Sequence, residues 1–140
     1  MASLEKAGAV AMNAVKGSTL LSIQSENHGR IWGVQLAGSD GTERQMEVDA
    51  SGNVVSGPRV IDTGAAEKAR VMAMVKDSEF TFKDAAQKAR SSVPQGKITH
   101  LSLDRYSSNL LVWDADVVTP DGTGYEVKID AKDGIVTKNG

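Results

Sequence analysis

The stretch that decides the fold is Leu110 to Val136, LLVWDADVVTPDGTGYEVKIDAKDGIV. Leu111, Trp113, Ala115 and Val117 alternate with Val112, Asp114 and Asp116. Tyr125, Val127 and Ile129 alternate with Glu126, Lys128 and Asp130. A period of two sends alternate residues to opposite faces of a strand, so each segment has one apolar and one polar face. Pro120-Asp121-Gly122 supplies turn chemistry between the two, and Asp133-Gly134 turns the chain into Ile135-Val136. The reading is an antiparallel meander with one face buried.

A looser copy runs from Ile31 to Val55, IWGVQLAGSDGTERQMEVDASGNVV. Trp32, Val34 and Leu36 correspond to Trp113, Ala115 and Val117. Met46, Val48, Asp49 and Ala50 correspond to Val127, Ile129, Asp130 and Ala131. Each meander is preceded by a strand, Thr19–Ser25 and Lys97–Arg105, matched through Leu21 with Leu101 and Ile23 with Leu103. Before each strand lies a helix pattern with a small-residue stripe: Leu4, Ala7, Ala11, Ala14 and Val15, then Phe82, Ala85, Ala86, Ala89 and Val93. Ser3 and Thr81 stand at capping positions, and Gly17 and Pro94-Gln95-Gly96 stop the helices. Drift between the copies is confined to turns, which is how a duplicated unit diverges. A middle helix, Thr63 to Lys76, would be capped by Thr63 and bury Ala65, Ala69, Met72 and Ala73. It has no counterpart before Leu4, so it is either a connector or the partner of a helix missing upstream. The expected fold is α+β: two tandem repeats, 1–58 and 59–140, each a helix on a four-stranded antiparallel sheet, with the extra central helix in the second.

Composition excludes several function classes. The 140 residues contain no cysteine, which removes disulfide scaffolds, thiolate metal sites and a cysteine nucleophile. A formal charge of −2 supplies no basic field for nucleic acid. No apolar run reaches membrane-spanning length, so membrane insertion is not expected. Aromatics are only 4% of the chain, so the core must be aliphatic. Met1-Ala2-Ser3 leads directly into a helix pattern without a signal peptide; the chain reads either as cytosolic or as the mature part of an exported protein.

The helix with its alanine stripe, the strand carrying Trp113, and the strand ending Val127-Lys128-Ile129-Asp130-Ala131 before Gly134 and Val136 together resemble the PepSY domain. That family occurs in propeptides of thermolysin-like metallopeptidases and in bacterial envelope proteins. The resemblance runs best from Phe82 to Val136 and more loosely through the first half. It implies a non-catalytic, extracytoplasmic bacterial protein, secreted or in the cell envelope, of tandem PepSY domains, similar in style to the tandem-repeat β-lactamase inhibitor protein. It implies a secreted or envelope peptidase as partner, inhibited or regulated by binding. The alternative is a structural or ligand-sensing envelope module that inhibits nothing. Oligomeric state is not legible.

The residues themselves offer no catalytic constellation. No nucleophile elbow occurs, and Gly38-Ser39-Asp40-Gly41 is a hairpin turn without a P-loop lysine. No cofactor or metal is expected: His28 sits in a turn, His100 faces outward from a strand, and Asp114 and Asp116 read as a solvated strand face rather than a calcium loop. Asp49 and Asp130 read as caps of the turns that follow them. Trp32 and Trp113 share the parity of aliphatic neighbours and read as core. The candidate partner-binding surface is the sheet face opposite the helices, carrying Ile31, Gln35, Leu110, Val112, Asp114, Asp116 and Lys128, with Gln45, Glu47 and Glu126 beside them. Ile31, Leu110 and Val112 are apolar there, which marks either an interface with a partner or packing between the two halves.

Overall fold

A computed structural model describes residues 3–107 and 109–140. Met1-Ala2, ahead of the first helix, and Ser108, within the expected Tyr106–Asn109 turn, lie outside the described residues. The class is α+β: among the described residues there are three α-helices, one short 3-10 turn and eight strands, with every described strand pairing antiparallel. The chain divides into two compact units, Met1–Lys76 and Asp77–Gly140. No helix is long and apolar enough to cross a membrane.

The first unit begins with α1 (Ser3–Ala14), which buries Leu4, Ala7, Gly8 and Ala11. Its last turn is shorter than expected: Ala14 is exposed and Val15 half-buried, because Gly17 already turns the chain at φ +77°. Strands β1 (Thr19–Glu26), β2 (Ile31–Ala37), β3 (Glu43–Asp49) and β4 (Val54–Ile61) follow and neighbour one another in the order β4-β3-β2-β1. Ile23 pairs with Val34 and Val34 with Met46, while Trp32 pairs with Val48. These side chains are buried on the α1 face. Between Leu20 and Ser22 the register slips at a β-bulge. The bulge lets Leu20 and Leu21 both be buried, on opposite faces.

Leu21 faces α2 (Ala65–Asp77), where it packs with Ala37, Val71 and the partly buried Val75. The helix therefore buries Val71 and Met74 instead of the expected alanine stripe; Ala65, Ala69, Met72 and Ala73 are exposed. Burying the longer side chains removes more apolar surface from water, and exposed alanines still favour the helix. Thr63 does not cap it: its buried Oγ1 has no hydrogen bond. The compact division falls after α2, where the repeat reading divided the chain before it. β4 also continues past Pro58 to Ile61, since an edge strand tolerates the missing N–H.

The second unit is tied together ahead of its helix. Glu79 N–H donates to the Ala131 carbonyl at 2.7 Å, and Trp113 Nε1–H donates to the Phe80 carbonyl at 3.1 Å. Arg105 Nη2 binds Asp77 Oδ2 at 2.8 Å. Thr81 then caps α3 (Phe82–Ser92) in a reciprocal capping box with Asp84. Phe82, Ala85, Ala86, Ala89 and Val93 are buried, as their spacing predicts. Strands β5 (Lys97–Arg105), β6 (Leu111–Val118), β7 (Gly124–Asp130) and β8 (Val136–Asn139) follow in that spatial order. Leu101, Ala115 and Val127 form one buried cross-strand row, and Leu103, Trp113 and Ile129 the next. Asp130 Oδ1 accepts from the N–H groups of Lys132 and Asp133 at 2.8 and 3.2 Å, and Asp49 Oδ1 does the same for Ser51 and Asn53, so both aspartates cap their turns.

Both tryptophans are core residues, 6% and 1% exposed for Trp32 and Trp113. They differ in one respect. Trp113 has its carbonyl acceptor, while Trp32 Nε1 is buried without a hydrogen bond. Such an orphan costs about 1–3 kcal/mol.

The turns differ sharply in what they tolerate. Gly41 has φ +83°, and a Cβ on it would lie 2.5 Å from the Lys68 carbonyl oxygen of α2. Gly122 has φ +88° but nothing within 4 Å. Gly122→Ala should cost about 1 kcal/mol, the backbone term alone. Gly41→Ala should cost at least about 2 kcal/mol more, because helix and turn must separate. Urea unfolding of the two variants checks this; equal losses would mean α2 does not sit against that turn.

Candidate partner-binding face

On the face of β5–β7 opposite α3, cross-strand register builds three rows: His100, Asp116 and Glu126; then Ser102, Asp114 and Lys128; then Asp104, Val112 and Asp130. The first two rows form a connected charged cluster. Lys128 Nζ lies 2.9 Å from Glu126 Oε1 and 3.9 Å from Asp114 Oδ2. Tyr106, just past the end of β5, donates its hydroxyl to Asp114 Oδ2 at 2.6 Å, and its ring lies 5.3 Å from Lys128 Nζ. His100 Nδ1 is 3.7 Å from Asp116 Oδ2.

The cluster sets its own charge states. Burial raises the Asp114 pKa, against the lowering effect of the Tyr106 hydrogen bond. The Asp114 carboxylate in turn raises the Tyr106 pKa, chiefly through that hydrogen bond. Glu126 raises Lys128 and is itself lowered by it. Asp114, Asp116 and Glu126 can bring carboxylate oxygens within 4.8 Å of one another, a spacing a divalent cation could use. The Lys128 ammonium already neutralises two of the three.

The residues expected on the partner-binding face separate into distinct groups. Asp114, Asp116, Lys128 and Glu126 come together as described. Leu110 is 42% exposed beside them in sequence, at the entry to β6. Val112 is only 2% exposed, so it offers no accessible surface. It lies on the central strand of its row with Asp104 and Asp130 as cross-strand neighbours, and parity alone could not reveal that its face is covered there. Ile31 and Gln35 belong to the first unit. Ile31 is half-buried opposite Asp49. Gln35 donates to Glu43 Oε1 at 2.6 Å, beneath α2, so the corresponding face of the first unit is partly occupied by a helix. Glu47 is engaged by Ser56 and Arg59. Tyr106 was not anticipated; its only sequence signal is an aromatic in an otherwise polar turn.

Glu43 is the buried acid of the first unit, 5% exposed. Burial raises its pKa first, and the neighbouring Glu67 carboxylate of α2 raises it further. Glu67 is lowered, mainly by its bond to Arg70 at 2.9 Å.

Comparison with known proteins places the second unit. Residues 81–138, from the cap of α3 into β8, match the family model described as peptidase propeptide and YPEB domain, PepSY. Over those residues the second unit is similar to the PepSY domain. A protein of Clostridium difficile 630 described as a lipoprotein has a similar crystal structure, at 18% identity and TM-score 0.54, covering 94% of this chain and 89% of that one. The YpeB C-terminal domain of Bacillus megaterium aligns at 14% identity and TM-score 0.32, covering 98% of this chain and 65% of that one. No curated protein matches.

Two titrations test the electrostatics. Tyr106→Phe removes the hydrogen bond that favours the charged form of Asp114, so the Asp114 pKa should rise further. A carboxyl ¹³C titration reads it directly, and an unmoved Asp114 would rule the bond out. Glu43 has a folded pKa above its ordinary 4.5, so its contribution to stability is full below that value and is lost as pH rises through the folded pKa. Glu43→Gln should remove that loss. Wild-type urea midpoints should fall relative to the variant between pH 4.5 and neutrality; parallel profiles would show that Glu43 ionises freely.

Proposed function

We propose that this is an exported, non-catalytic bacterial protein of two PepSY-like repeats that binds a secreted or envelope peptidase and holds its activity down. The observation that carries the reading is the match of residues 81–138 to a family named for peptidase propeptides. PepSY domains are generally non-catalytic propeptide or regulatory modules. The contact surface in this reading is the β5–β7 face, where Asp114, Asp116, Glu126 and Lys128 present fixed charges beside exposed Leu110. Paired charges held in place suit recognition, because they favour one orientation and repel wrong partners.

The repeat part of the reading is supported by strand register. Val34 pairs with Ile23 and Met46 in the first unit; Ala115 pairs with Leu101 and Val127 in the second. The bulges also correspond, Leu20/Ser22 and Ile98/His100. Register aligns Ile23 with Leu101, two residues away from the match made on hydrophobic pattern alone. Within this reading the repeats are 1–58 and 59–140 by order of elements, while packing assigns α2 to the first compact unit.

The test is capture from the secreted and envelope fraction of the source bacterium, followed by assay of any recovered peptidase. The purified protein should slow that enzyme. Leu110→Asp with Asp116→Arg should weaken inhibition at least about tenfold, roughly 1.4 kcal/mol, without lowering the melting temperature. Undiminished inhibition by the double variant would place the contact elsewhere. A captured peptidase that is not slowed would favour the structural or sensing module.

A further inference from the structure

The orphaned indole of Trp32 marks a second place to look. In the second unit, an extended segment ahead of α3 fills a socket made by three groups. Glu79 N–H binds the Ala131 carbonyl at 2.7 Å, the Phe80 carbonyl takes the Trp113 indole N–H at 3.1 Å, and the Phe80 ring lies over Gly134. The fit over the glycine is close: a Cβ on Gly134 would be 2.8 Å from Phe80 Cζ. Ala131 is fully buried as a result.

The first unit carries the same frame. Ala50 N–H binds the Arg30 carbonyl at 3.0 Å, as Ala131 N–H binds that of Leu111 at 2.9 Å. Trp32, Ala50 and Gly52 stand where Trp113, Ala131 and Gly134 stand in the other copy. The contents differ. Ala50 is exposed, and Trp32 Nε1 is buried with no acceptor. The space over Gly52 is taken by the tail of Lys6, whose Cε would lie 2.8 Å from a Cβ there. A lysine tail is flexible and can swing aside, which the backbone around it cannot.

We propose that Trp32, Ala50 and Gly52 form a socket for an extended peptide of a partner protein, one that presents an acidic residue followed by an aromatic residue. The peptide's main-chain N–H binds the Ala50 carbonyl, its next carbonyl takes the Trp32 indole N–H, and its aromatic ring displaces Lys6 from Gly52. The freed ammonium of Lys6 favours the acidic residue. The occupant comes in trans: among the described residues the atoms nearest the Gly52 seat are those of Lys6, which has no ring to lay on the glycine. Main-chain pairing of this kind gives affinity, and the side-chain seat gives specificity. The inference rests on the repeat reading and on no peptidase.

The probe is the chain's own segment 77–81, Asp-Ser-Glu-Phe-Thr, acetylated and amidated, added to the full protein. The protein has two tryptophans and so two indole N–H resonances, assigned with Trp32→Phe. At about millimolar peptide the Trp32 signal should move downfield and its exchange with solvent slow at least about tenfold, with Trp113 unmoved. Replacing the peptide's Phe by Ala should weaken binding at least about tenfold. An unmoved Trp32 signal, or one that moves equally with the Ala peptide, overturns the socket. If the measured strand register of the first unit departs from that of the second, the repeat reading falls instead; with that register intact, only the socket does.

Discussion

Alanine sets how near a helix can come to the strands it covers. Ala7 and Ala11 in α1, and Ala85, Ala86 and Ala89 in α3, are essentially inaccessible. A helix faced with methyl groups lies close on a pleated surface, so the bulk of each core comes from the strands: Ile23, Val34, Leu36, Met46 and Val48 in one unit, Leu101, Trp113, Val127 and Ile129 in the other. Close approach is also what makes each unit one-sided. The apolar rows are consumed on the helix face, and the alternate residues are left to carry polar chemistry on the other.

That one-sidedness is resolved differently in the two units. In the first, α2 lays Val71 on Leu21 and Ala37, and a buried acid, Glu43, is held beneath the same helix. In the second, the polar side of β5–β7 organises itself. Tyr106, Asp114, Lys128 and Glu126 satisfy one another across strands, so the cluster is fixed before anything approaches it. Preformed polar groups lose little ordering entropy on contact, which is the physical basis for reading the face as a recognition surface.

The period-two pattern made the strands, the tryptophans' burial and the capping aspartates legible from residues alone. The α3 stripe was legible because Phe82 and Val93 bracket its alanines. The α2 stripe was not, because its alanines at 65, 66, 69 and 73 share one side of the helix while Val71, Met74 and Val75 form a second, bulkier apolar stripe on the other, and it is the bulkier side that packs. Val112 shows a second limit: parity assigns a face, and only the fold decides whether that face is covered. Tyr106 shows a third, since a turn residue reaches the site through the shape of its loop. The first strands were matched two residues out of step because a two-residue slip keeps parity: Leu21 and Ile23 repeat the spacing of Leu101 and Leu103, and nothing in composition reveals the bulge that puts Leu21 on the other face.

Pro58 gives β4 a property that no single folded chain displays. β4 is an edge strand, and Val54, Val55 and Val60 on it are exposed. An apolar strand with free amide groups is a template on which further copies can stack into fibrils. Proline removes one amide from that template, Gly57 bends the chain beside it, and the pairing with β3 slips twice nearby. The interrupted edge therefore offers a further copy a shorter run of amides to pair with than a continuous valine strand would.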